Sequence, residues 1–205
     1  MLDRLDERLW HIKSLVKEGP VLGQKLLTTY ERDRSLGQSD WKGVRLSGEV
    51  LINANFRKSN LEQASLTSCL LIDSSVQSAT LTGAELRFCV LSNANLNSAT
   101  ASHLNTERCT AVNSSWNGAA LDGARLHNGN FKNSSFKRAT LAGADLSGAN
   151  LAECNFWLAD LSGANLSNAD LTGANLTDAD LTDAVLTNAN IESTILSSSD
   201  GERRA

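Results

Sequence analysis

The chain has 205 residues, a formal net charge of −4, 41% hydrophobic residues, only 5% aromatics and a single proline. That length buries a sizeable core, yet no stretch approaches the ~18 consecutive apolar residues of a membrane span. The opening MLDRLDERLW mixes charges among its leucines, unlike a secretory leader, and four cysteines are too few and too regular for a disulfide scaffold, so a cytoplasmic protein is expected.

Residues 1–40 read as a helical cap. Leu2, Leu5, Leu9, Ile12 and Val16 follow a 3-4-3-4 spacing that puts them on one stripe of a helix, and Gly19 and Pro20 end it. A second helix is expected over 21–34, carrying Leu22, Leu26, Leu27 and Tyr30. The segment holds seven basic and seven acidic residues. A hairpin of this kind covers the open first coil of a solenoid. Docking on a partner is the competing reading.

From residue 41 a period of five takes over. Stepping by five from Leu46 to Leu196 gives 31 positions: 21 are Leu, four are Phe (Phe56, Phe131, Phe136, Phe156), and Val76, Trp116 and Ile191 are also large and apolar. Two residues before each of these, 18 of 31 positions are Ala. The run from Ala144 to Asp183 reads ADLSG, ANLAE, CNFWL, ADLSG, ANLSN, ADLTG, ANLTD, ADLTD. Neither a helix nor a simple strand has this period. A chain that turns a corner every five residues does, with the large and the small residue both pointing inward and three residues outward. Single sides bury almost nothing, so stacked coils must share one core. Asn or Asp, where it stands just before the central residue, suits the corners.

In these A-(D/N)-L-x-x units, from Val44 to Leu196, the chain resembles the pentapeptide-repeat family. The resemblance implies an all-β solenoid, a right-handed quadrilateral β-helix of nearly eight coils, about 37 Å long at the ~4.8 Å sheet spacing. The expected domains are the cap at 1–40, the β-helix at 41–196 and a flexible tail at 197–205. Ala101, Thr106 and Ala111 are undersized centres in the coil that holds Trp116 and Leu104, so bulk lost at three sides returns at two others. Outward positions are normally polar, and departures include Val50, Leu70 and Val90 in one column, Ile52, Ile72 and Val112 beside it, and Trp157 and Leu158 on another side. The first patch wants covering, by the hairpin or by another protein.

Catalysis is not expected. His11, His103 and His127 do not converge, and no phosphate-binding, dinucleotide or CxxC pattern occurs. Cys69, Cys89 and Cys109 stack in a column, and Cys154 takes the same kind of position; buried small thiols are the expectation, with no metal and no cofactor. A lumen plugged by leucine leaves no room for a small-molecule substrate.

Charge divides the rod. Trp41–Arg138 holds ten basic and six acidic residues, whereas Ala139–Leu196 holds none and eight: Asp145, Glu153, Asp160, Asp170, Asp178, Asp180, Asp183 and Glu192. We expect a non-catalytic protein-interaction scaffold of regulatory kind, with Asp145, Glu153, Trp157, Leu158, Asp160, Asp170, Asp178, Asp180 and Asp183 as the partner-binding residues. The partner is a protein of unknown identity, and end-to-end pairing of two copies is a further expectation. The family resemblance implies an alternative, because some members mimic duplex DNA and bind DNA gyrase, protecting it from inhibitors. Eight carboxylates in about three coils give one per ~1.8 Å, near the ~1.7 Å of the duplex. They are spread over all four sides, however; such members tend to favour Phe in the centre and to end in a helical dimerisation module, whereas this chain prefers Leu and SSSDGERRA is expected to be too short for one. Arg57 and Lys58 share columns with Lys137 and Arg138, but uncharged coils intervene, which argues against direct nucleic-acid binding.

Overall fold

The computed structural model describes residues 36–196. The helices expected over 1–34 and the tail from 197 lie outside the described residues. Among the described residues there is no helix and no extended strand. The backbone instead makes parallel single-residue bridges between residues 20 apart, from Asp40 with Asn60 through to Asn175 with Ile195. Four units of five therefore close one coil, and the coils stack in strict register.

Each corner is built the same way. The N–H of Val44 donates to the carbonyl of Trp41 at 3.0 Å, closing a four-residue turn, and this bond recurs down the chain. The third residue of every turn from Gln38 to Ser193 has positive φ, at 23 non-glycine residues and nine glycines. Such a turn needs a left-handed residue there, which explains why Gly, Asn, Asp and Ser crowd this position. The Asn or Asp that precedes the centre locks the corner. Asn55 Oδ1 accepts the N–H of Arg57 at 3.1 Å, and Asp160 Oδ1 that of Ser162 at 2.9 Å.

Between coils the ladder is continuous. The N–H of Trp41 donates to Asn60 at 2.7 Å, that of Gly43 to Glu62 at 2.9 Å, and the N–H of Asn60 donates back to Ser39 at 2.9 Å. We number the faces by their centres in chain order: face 1 starts at Leu36, face 2 at Trp41, face 3 at Leu46 and face 4 at Leu51. Residues 36–40 already follow the coil, and Leu36 and Trp41 are fully buried centres, so the expected boundary between 40 and 41 falls inside the first coil.

The inward assignment holds: the centres and the small residues two before them form one buried cluster. Each buried Leu contributes ~1.5–3 kcal/mol, shared along the rod. In the irregular coil, Leu104 and Trp116 are fully buried, filling space left by Ala101, Thr106 and Ala111. Trp116 stacks on Phe136 at 5.8 Å between ring centroids, Phe136 on Phe156 at 5.1 Å, and Phe131 meets the first two edge-on. Burial fades at the last coil, where Ile191 is 52% and Ile195 55% exposed.

Candidate functional site

The residues expected to contact a partner lie on the last three coils, and the corner geometry sorts them into two groups. Asp145, Asp160, Asp170 and Asp180 occupy the locking position. Each accepts a turn N–H, from Ser147, Ser162, Thr172 and Thr182, at 2.9 to 3.1 Å. Asp170 and Asp180 also accept the Thr172 and Thr182 hydroxyls at 2.6 Å. Hydrogen bonds from the Thr172 side chain and backbone hold the Asp170 carboxyl below its ordinary range. Asn does the same job at Asn150, Asn155, Asn165 and Asn175, so this position needs an acceptor and not a charge.

Glu153, Asp178 and Asp183 instead occupy the third position of the turn, where side chains project from the corner and are exposed. Glu153 reaches Lys132 one coil below at 3.4 Å. The structure does not gather the carboxylates on one face: Asp160, Asp180 and Asp183 lie on face 2, Asp145 on face 3, Glu153 and Asp170 on face 4, and Asp178 on face 1.

Trp157 and Leu158 share the outer turn of face 1. Trp157 is half-buried, and the Arg138 guanidinium from the coil below lies 5.0 Å from its ring centroid. That cation–π contact ties the indole to the coil below. Leu158 is 40% exposed at φ +56, a left-handed backbone that an aliphatic side chain adopts at a cost of about 1 kcal/mol. Asp178 follows one coil above. The result is an apolar step between a basic coil, Lys137 and Arg138, and an acidic one.

Face 3 carries a polar band that reading along the chain did not reveal. Glu85 binds Arg87 at 3.2 Å and accepts the Asn105 amide at 3.0 Å. Glu107 lies 3.6 Å from Arg108 and 3.5 Å from His127, whose other nitrogen is 3.6 Å from Asp145. A shallow hollow of about 390 Å³ beside it is lined by Glu85, His103, Asn105, Gly123 and Arg125. Phe88, 46% exposed at φ +61, stands at the corner between this band and face 4. These residues are scattered along the chain, and the signal for them is their 20-residue spacing.

The cysteines are buried. The Cys89, Cys109 and Cys154 thiols donate to the carbonyls of Leu66, Leu86 and Phe131 at 2.6 to 2.9 Å. Burial pushes the Cys69 and Cys154 thiols up to about 12, and the side-chain bond with Cys109, then burial, raises Cys89. At Cys69, Cys89 and Cys154 this disfavours the thiolate, the form that acts as nucleophile or metal ligand. Among the described residues no group of His, Cys, Asp and Glu is placed to hold a metal ion, and no helix is long and apolar enough to cross a membrane.

The family model for pentapeptide repeats matches this chain in eight copies, over residues 35–67, 74–105, 119–157, 139–178 and 159–197. No curated protein matches. Among solved structures, a trypsin-treated variant of QnrB1, a plasmid-mediated fluoroquinolone resistance protein, is similar with a TM-score of 0.55 and 18% identity, over 80% of this chain and 91% of its own. HetL, involved in heterocyst differentiation regulation in Nostoc sp. strain PCC 7120, is 28% identical over 83% of this chain and 85% of its own, with a TM-score of 0.34. Rfr23 from Cyanothece 51142 is 21% identical over 85% and 99%, with a TM-score of 0.25. The likeness to QnrB1 is one of fold, the right-handed quadrilateral β-helix.

Proposed function

The chain belongs to the pentapeptide-repeat family, whose members are in general non-catalytic repeat scaffolds, and on that premise we propose that it is a regulatory protein-interaction scaffold working in the cytoplasm. Its contact site is the outer turn of face 1, with Trp157 and Leu158 as anchor and Glu153, Asp178 and Asp183 as the charged surroundings. The corner acids Asp145, Asp160, Asp170 and Asp180 add to the field that steers a basic partner but are already committed to the turns. A backbone bonded to its neighbours on every side loses little ordering entropy on binding. The partner is a protein with an apolar pocket rimmed by basic groups, and the exposed last coil suits pairing with a second copy.

The observation that carries this reading is Leu158. An aliphatic residue in a left-handed turn costs stability through backbone strain and, being exposed, recovers little of it by burial, where Asn or Gly would be less strained. The test is co-purification from the native host with wild type, Trp157→Ala and Leu158→Asn as baits. Leu158→Asn is expected to keep or raise the melting temperature while losing the partner. Equal capture of the same protein by all three baits would overturn the assignment. The second reading, DNA mimicry toward gyrase, is favoured by the carboxylate density alone, and protection of gyrase supercoiling from a quinolone would move the balance to it.

A further inference from the structure

Among the described residues, face 4 is the one place on the rod where outward positions in consecutive coils are aliphatic. Val50, Leu70 and Val90 bridge one another directly, and Ile52 and Ile72 run alongside. Phe88 extends the strip around its edge. Elsewhere these columns hold mainly Asn, Asp, Ser and Thr, which hydrate well and lock corners. A sheet face of this composition gains by being covered.

The strip's position says by what. The chain enters the first coil at Leu36, on face 1, and the Leu36 N–H is bonded to Asn55, the residue by which the chain arrives from face 4 one coil above. The 35 preceding residues are therefore tethered at the corner that borders the strip, about one coil step from Val50 and Ile52. A tether this short makes docking intramolecular, at an effective concentration no separate partner matches. The same segment carries the stripe Leu2, Leu5, Leu9, Ile12 and Val16. At 1.5 Å per residue such a helix is about 22 Å long, enough to cross the roughly 10 Å from Val50 to Val90 and reach Phe88.

We propose that the apolar strip of face 4 is the docking site of residues 1–35 of the same chain. This is independent of the Trp157 site, which lies on face 1 four coils away. The test uses the full chain with a photo-reactive benzoylphenylalanine in place of Ile72. Irradiation is expected to give a species of monomer mass whose cross-linked peptide maps within residues 1–35. A dimer-mass product, meaning a second copy occupies the strip, or cross-links confined to residues 36–205, or none, would overturn the proposal. A second variant, Leu70→Asp, changes only an outward side chain. Tryptic cleavage at Lys13 and Lys17 is expected to accelerate about tenfold or more while the repeats stay protected. Unchanged cleavage in a folded variant would count against it.

Discussion

Replacing Trp116 by Ala tests the packing argument where the repeat is least regular. Trp116 is fully buried, stacked on Phe136 at 5.8 Å and edge-on to Phe131 at 6.1 Å, with its indole N–H donating to Ser114 Oγ at 2.7 Å. Three of the neighbouring centres, Ala101, Thr106 and Ala111, are too small to move into the space. The backbone around the site is pinned by inter-coil bonds of 2.7 to 3.0 Å, so the walls cannot collapse. A loss of about 3–5 kcal/mol follows, equivalent to a fall in melting temperature on the order of 10 °C for a chain this size. Ser114 keeps its bonds to the Ala111 carbonyl and to Ser134, so little of the loss comes from unpaired polar groups. Trp116→Phe, which preserves the stack, is expected to cost far less. Thermal and denaturant melts measure both, and an unchanged midpoint for Trp116→Ala would refute the inward placement of the ring.

Three further outcomes are expected. Thiols that ionise near pH 8.5 in an unfolded chain but near 12 at Cys69 and Cys154 in the folded one leave stability intact below about pH 8.5 and remove it as pH rises toward 12; denaturant midpoints against pH should fall there, and less steeply for the Cys69→Ala/Cys154→Ala double variant. The Asp170 carboxyl is shifted the other way, so its contribution is present above the ordinary carboxylate range and is lost as pH falls through the lowered value; Asp170→Asn, which keeps an acceptor but not the charge, should lower the melting temperature slightly at pH 7 and flatten the acid limb of the profile. Gly129 stands where the repeat prefers Ala, yet a Cβ there would press on the Phe131 ring and come 3.0 Å from the Leu126 carbonyl; Gly129→Ala is expected to destabilise by about 1–3 kcal/mol, and a raised melting temperature would refute the account.

The ladders were legible because inward positions tolerate few residue types: Leu or Phe at the centre, Ala, Ser or Cys two before it. The number of sides was not, since a period of five sets the corners but not how many close a coil; the family resemblance supplied four, and the bridges between residues 20 apart bear it out. The start of the solenoid was missed for a local reason. Gly37, Gln38 and Ser39 lack the Ala-Asn-Leu grammar, although Leu36 and Trp41 sit at the right spacing and Gln38 adopts the turn's left-handed backbone. Face 3 was missed because the contacts that join its coils, Asn105 with Glu85, His127 with Glu107 and His127 with Asp145, link residues 18 to 20 apart, and reading along the chain shows only the local pairs.

The acidic residues show where composition misleads. Counting carboxylates from Asp145 onward suggests a surface shaped for charge, but position within the five-residue unit assigns them different work. At the residue before the centre, Asp and Asn are interchangeable acceptors for a turn N–H, as Asp145, Asn150, Asn155 and Asp160 show in succession. At the third residue of the turn no such bond is needed, and Asn or Gly would fit the backbone as well. Glu153, Asp178 and Asp183 are therefore acids by choice of surface and not of fold, and the same logic applies more strongly to Leu158, whose side chain fits neither the turn nor the solvent. A site is best sought at positions where the repeat permits a cheaper residue and the sequence does not use it.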